Sequence, residues 1–206
     1  MKYLACFSVC LLFLTAIAWG EGEAGKEAPK KADMEKYVKR QANNPEILIE
    51  TDFGKMKLEL FRDVAPIHVD SMLARIKGKF YDGLTFHRII DGFMIQGGDP
   101  KGNGTGDAGY NLPAEFSDVP HLDGTLSMAR AQSPNSASCQ FFICLGRQAY
   151  LDKQYTVFGQ VMEGMDTLHK IGKVPVGGAQ NSKPQNDVFI RRMTILKDKA
   201  SEKPEK

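Results

Sequence analysis

The sequence is poor in cysteine, in tryptophan and in excess charge of either sign, and each shortage narrows what the chain can be. Of its four cysteines, Cys6 and Cys10 fall inside an N-terminal apolar run, which leaves Cys139 and Cys144 for the folded part. No zinc-ligand spacing can be assembled from these thiols and the four histidines. The apolar segment from Cys139 to Cys144 reads as extended, so the two sulfurs point to opposite faces and are read as free thiols, not a disulfide. Lysine and arginine number 27 against 25 aspartates and glutamates. That balance argues against a nucleic-acid partner, which requires a basic excess. A Gly-x-Ser-x-Gly nucleophile motif is missing, and neither Asp91 nor Asp99 has an evident partner carboxylate, so hydrolase chemistry finds no footing. There is no internal repeat.

Long apolar runs are also lacking, except one. Leu4 to Ala18 is apolar, is preceded by Lys2 and is followed by Glu21, with small residues at Ala16, Ala18 and Gly20. This is the pattern of a secretory signal peptide over residues 1–20, cut after Ala18 or Gly20. The run falls short of the roughly 20 residues of a membrane span, so no stable membrane insertion is expected after processing. The alternative is a protein tethered through an uncleaved signal. An exported, periplasmic or secreted location follows from the signal. Trp19, the only tryptophan, is a marker for where cleavage occurs.

Residues 21–44 are small and charged and read as a flexible linker. Met34, Tyr37, Val38 and Gln41 have helical spacing, but the segment is read as solvated. The folded domain is expected over 45–197, and the charged tail 198–206 is expected to be disordered. Within the domain, 47–50, a Thr51 to Gly54 turn and 55–61 predict a hairpin, with Met56, Leu58 and Leu60 inward and Lys57 and Glu59 outward. Pro66 opens a helix whose Val69, Met72, Leu73 and Ile76 share a face, and Gly78 ends it. A second helix is predicted over 164–171. Short apolar segments at 85–90, 93–96, 124–129, 140–145, 157–162 and 188–196 complete a mostly β domain: a closed antiparallel barrel capped by two helices. His68 and His169 are read as exposed helix residues and His121 as a loop residue. The Gly104, Gly106, Gly109 pattern resembles a dinucleotide loop. No helix follows it, so it is read instead as letting the chain pass close to a ligand or a neighbouring backbone.

One stretch resists all these readings. Phe86 to Asp99, FHRIIDGFMIQGGD, mixes Arg88 and Gln96 with large apolar side chains. A core segment has no use for the first pair and a surface loop has none for the rest. It reads as a core strand that surfaces as the wall of an apolar groove.

That stretch, with GNGTG at 102–106, LSMA at 126–129, SCQFFI at 138–143 and VFGQV at 157–161, resembles the cyclophilin family of peptidyl-prolyl cis-trans isomerases over about 47–196. The resemblance implies a closed eight-stranded antiparallel barrel capped by two helices, no metal and no cofactor. It also implies action as a monomer on proline-containing unfolded or nascent polypeptides. It assigns catalysis to Arg88, which donates toward the prolyl group as the peptide bond loses conjugation. Phe93, Met94, Phe142 and Leu151 would form the proline pocket. Gln96, Gln140 and the main chain of Ala129 and Arg130 would hold the substrate backbone, while His87 supports from behind. Tyr150, Tyr155 and Arg130 stand where many animal members carry Trp, His and Asn. This resembles the exported bacterial branch and implies weak cyclosporin binding. A proline-recognising chaperone or binding module with incidental turnover is the competing function.

Overall fold

The computed structural model describes residue 36, residues 43–178 and residues 182–198. The signal peptide 1–20, nearly all of the linker 21–44 and the tail beyond residue 198 lie outside the described residues. The domain is larger than expected at both ends. Asn44 is buried and donates from Nδ2 to Glu59 at 2.9 Å. Asp198 pairs with Arg62 at 2.9 Å and with Lys77 at 3.7 Å. The first of these contacts corrects the reading of Glu59 as outward, since its carboxylate is buried beneath Asn44.

Strands β1 (Glu46–Thr51) and β2 (Gly54–Leu60) form the predicted hairpin, with Met56, Leu58 and Leu60 in the core. Its turn requires Gly54. The backbone there is at φ +132°, and a Cβ would lie 2.6 Å from Thr167 Oγ1, a conformation and a clearance that only glycine accepts. Helix α1 (Pro66–Lys77) starts and stops where proline and glycine predict. Ala65 gives its N-terminus no side-chain cap. A carboxylate from far along the chain does so instead: Glu115 accepts from Ile67 N–H at 3.1 Å and His68 N–H at 3.0 Å, satisfying two of the first-turn donors. His68 is buried, not exposed as expected, and its Nδ1 meets Glu115 Oε2 at 2.6 Å.

The remaining strands are β3 (Arg88–Ile90), β4 (Met94–Gly97), β5 (Thr125–Met128), β6 (Phe141–Cys144), β7 (Val157–Glu163), β8 (Val176–Gly177), β9 (Lys183–Pro184) and β10 (Ile190–Lys197). Helix α2 spans Met165–Gly172. Eight strands make one sheet in the order β10, β1, β2, β7, β5, β6, β4, β3. Its two end strands do not pair with each other, so the sheet is a curled, open half-barrel and not the closed barrel expected. The gap is spanned more loosely. Thr85 and Phe189 form an isolated bridge, Gly83 N–H donates to Ile190 O at 2.8 Å, and Phe86 N–H donates to Val188 O at 2.9 Å. Strand β3 is shorter than predicted because residues 85–87 belong to this seam and not to the ladder.

Alternation sorts the side chains on the strands around the opening. Ile89, Ile95, Phe141 and Ile143 join the main core with Phe86 and Phe158. Met94, Phe142 and Cys144 fall on the opposite face, where they form a separate cluster with Leu151, Phe93 and Tyr155. The period of two thus gives the sheet an apolar patch outside its own core.

Candidate active site

Arg88 and Gln96 are cross-strand partners in the β3–β4 register, and Gln96 and Phe142 are partners in β4–β6. On a pleated sheet such pairs share a face, as do residues two apart. Arg88, Gln96, Met94, Phe142 and Gln140 therefore project to the same side. Gly92, at φ +71°, makes the tight turn between β3 and β4 that leaves Phe93 at the rim.

The polar groups form a chain. Arg88 Nη1 donates to Gln96 Oε1 at 3.3 Å, and Gln96 Nε2 donates to Gln140 Oε1 at 2.9 Å. Gln140 Nε2 donates to Gly106 O at 2.8 Å and Gly104 O at 3.1 Å. The glycine loop at the end of this chain wraps a buried carboxylate. Asp99 accepts from the N–H groups of Lys101 at 2.8 Å, Asn103 at 3.0 Å and Gly104 at 2.5 Å. Burial works against its ionisation, yet these donors hold the carboxyl below its ordinary range. A Cβ on Gly106 would lie 1.9 Å from Asp99 Oδ1, so the glycine serves close approach, as the sequence suggested. His87 lies in the segment just before β3, and both of its ring nitrogens are buried. Burial holds that imidazole below the ordinary histidine range.

Arg88, Phe93, Met94, Gln96, Ala129, Arg130, Phe142, Leu151 and Tyr155 enclose a pocket of about 110 Å³. This is far below the roughly 300–1,000 Å³ of a drug-sized cavity and suits one small side chain. Met94, Phe142 and Leu151 are buried, and the Arg88 guanidinium lies 5.8 Å from the centre of the Phe93 ring. Gln140 does not line this pocket. It lines the neighbouring groove with Gly104, Gly106, Ala131 and Ser136, and Gln96, Ala129 and Arg130 belong to both.

Tyr150 stands outside the pocket, 60% exposed, leaning on Phe93 with ring centres 5.9 Å apart. The Arg130 guanidinium is held by main-chain carbonyls. Its Nε and Nη2 donate to Gln154 O at 3.1 and 3.0 Å, and its Nη1 donates to Ala131 O and Gln132 O. The same guanidinium stacks 4.5 Å from the Tyr155 ring centre, fixing that tyrosine from outside. One residue that the sequence left as an ordinary loop position, His121, lies behind the pocket against Phe142. Its only sequence signal was a polar residue between Pro120 and Leu122.

This geometry, with Arg88 at the mouth of a small apolar pocket beside a row of amide groups, has counterparts among known proteins. A family model described as cyclophilin type peptidyl-prolyl cis-trans isomerase/CLD matches residues 46–195. The chain belongs to the cyclophilin family. Peptidyl-prolyl cis-trans isomerase-like 3 of Gallus gallus is 42% identical over 154 residues, covering 72% of this chain and 94% of the relative. A peptidyl-prolyl cis-trans isomerase of Synechococcus elongatus is 50% identical over 113 residues, covering 55% of this chain and 77% of the relative. The crystal structure of a Cryptosporidium parvum cyclophilin type isomerase superposes with a TM-score of 0.71 at 31% identity, covering 75% of this chain and 99% of that one. The same protein was crystallised in the presence of the dipeptide Ala-Pro. The domain is thus a cyclophilin and a peptidyl-prolyl cis-trans isomerase. In this cyclophilin the pocket is assembled from β3, β4, β6, the turn of 3-10 helix over Ala149–Leu151 and the loop around Tyr155.

Proposed function

We propose that this cyclophilin catalyses rotation about X-Pro bonds by a non-covalent mechanism in which Arg88 is the barrier-lowering donor. The observation that carries this reading is the position of the guanidinium at the mouth of the pocket, within reach of Gln96 Oε1 and over the Phe93 ring. The prolyl bond rotates slowly because the C–N bond has partial double-bond character, with a barrier of roughly 18–20 kcal/mol. Twisting makes the imide nitrogen pyramidal and basic. A donor already in place favours that state over the planar one, and only such a difference accelerates the step.

Phe93, Met94, Phe142 and Leu151 hold the proline ring still. Gln96, Gln140 and the main chain of Ala129 and Arg130 hold the peptide on either side. Arginine stays protonated throughout the physiological range, so the donor does not switch off with pH. The N-terminal signal pattern supports export to the periplasm or the exterior, where the enzyme acts as a monomer on unfolded or newly translocated proteins, and Tyr150, Tyr155 and Arg130 support the exported bacterial branch of the family. Tyr150 in place of a rim tryptophan weakens cyclosporin binding.

The test is a proline-peptide assay on the wild type and Arg88→Ala, each with and without cyclosporin. The mechanism predicts a large loss in the variant with the fold intact, and weak inhibition of the wild type. Full activity in Arg88→Ala sinks the arginine role. N-terminal sequencing of the mature protein tests the export reading, which an intact residue 1 would overturn.

A further inference from the structure

Behind the pocket is a buried polar cluster that the scheme above does not use. The His121 side chain is fully buried. Its ring lies nearly parallel to that of Phe142, with planes 10° apart and centres at 6.0 Å, and meets Tyr155 edge-on at 6.5 Å. Both of those residues line the pocket. The imidazole is held at each nitrogen: Nδ1 lies 3.2 Å from Asp152 Oδ1, and Nε2 lies 3.0 Å from Ser127 Oγ. Its main chain is fixed as well. His121 N–H donates to Asp152 Oδ1 at 2.9 Å, and Gln148 N–H donates to His121 O at 2.9 Å. Asp152 is itself gripped by both terminal nitrogens of Arg147.

Serine, histidine and aspartate in hydrogen-bonded order are the elements of a nucleophilic triad. Burial rules that role out here. Ser127 is fully buried, and its Oγ donates to Thr156 O at 2.9 Å. The face of the imidazole toward the pocket is covered by Phe142, so no substrate carbonyl can reach the hydroxyl. Remaining is a rigid plate. Each of the ring's two nitrogens faces a partner that is itself tethered, and the flat side of the ring is turned to the wall of the pocket.

We propose that His121 is a positioning residue of the isomerase, clamped between Asp152 and Ser127 so that its ring fixes the Phe142 wall and the Tyr155 edge. This rests on the reading of the pocket as the prolyl site. Its consequence is that binding of the proline ring depends on a residue with no contact to the substrate, since a displacement of about 1 Å in a positioning group can cost on the order of 100-fold.

The experiment measures kcat and KM separately for a proline peptide in the wild type, His121→Ala, His121→Phe and Asp152→Asn, with the folded fraction of each taken from circular dichroism. Loss of the plate raises KM about tenfold in His121→Ala. His121→Phe, which keeps a ring and loses both polar contacts, recovers part of that loss, and Asp152→Asn raises KM about two- to threefold. A merely structural role lowers kcat in step with the folded fraction and leaves KM unchanged. Unchanged KM in the folded variants therefore overturns the proposal. If His121→Ala does not fold, His121→Phe and Asp152→Asn decide the matter. An inactive wild type removes the isomerase reading itself, whereas an active wild type with unmoved KM values removes only the role of His121.

Discussion

The floor of the groove and its outer rim are built on different principles. Met94 and Phe142 come from paired strands, where the register fixes every second side chain, and Leu151 is pressed against them by the short 3-10 turn. Tyr150, one residue before Leu151, is 60% exposed and leans on Phe93. Arg130 is held by main-chain carbonyls of its own neighbourhood. A floor that shares strands with the core cannot change without disturbing the core, whereas a rim of exposed side chains can be exchanged freely. On the proposed mechanism, the proline ring is held by the floor and ligand preference is tuned at the rim.

Four measurements would break or sharpen that contrast. Phe142→Ala removes a buried ring from the floor and is expected to cost about 3–5 kcal/mol of stability, read by denaturant unfolding, together with most of the activity. A cost below 1 kcal/mol would mean that the floor is not part of the packed structure. Arg88→Ala is expected to lower kcat/KM by about 10²–10³-fold, or roughly 2.7–4 kcal/mol of barrier, with little change in unfolding midpoint. Asp99→Asn replaces an acceptor-only group by one that turns an N–H₂ toward donors, and is expected to cost on the order of 1–3 kcal/mol. Its pH dependence has a definite sign. The folded carboxyl titrates below its ordinary value of 3.8, so its stabilisation is complete above that value and lost as pH falls through the lower folded one. An acid-unfolding curve shared by the wild type and Asp99→Asn would remove the carboxylate from this account. Smallest is Tyr150→Ala, expected to change kcat/KM by no more than about threefold, while Tyr150→Trp tightens cyclosporin in a competition assay. A tenfold catalytic loss at Tyr150 would erase the distinction between floor and rim.

What the sequence disclosed and what it hid follow the same physical line. The hairpin at Thr51 to Gly54, helix α1 between Pro66 and Gly78, and the five motifs around Arg88 were legible because they depend on near neighbours. The open seam was not legible, because strand count does not say whether the first and last strands of the spatial order meet. Glu115 as the cap of α1 was hidden for a related reason: 47 residues separate it from His68, and a carboxylate in a loop carries no periodic signature. His68 was misread with it, since only the partner explains a buried polar ring. Arg130 and Tyr150 occupy expected positions in the chain, but their side-chain directions depend on local carbonyls and on Phe93, which no motif encodes. His121 belongs to the same class, its neighbours Ser127, Phe142, Asp152 and Tyr155 being gathered only by folding.

The strand order carries a last consequence, for how the domain is made. β1 sits between β2 and β10, pairing Glu46 with Lys197 at the opposite end of the domain. During synthesis β1 can meet β2 at once, but its other edge has no mate until the final strand has emerged. Contacts that join chain ends fold slowly and expose unpaired edges meanwhile. This isomerase therefore passes through its own most vulnerable state just before β10 is released, when one edge of β1 is paired and the other still waits for the last strand of the domain.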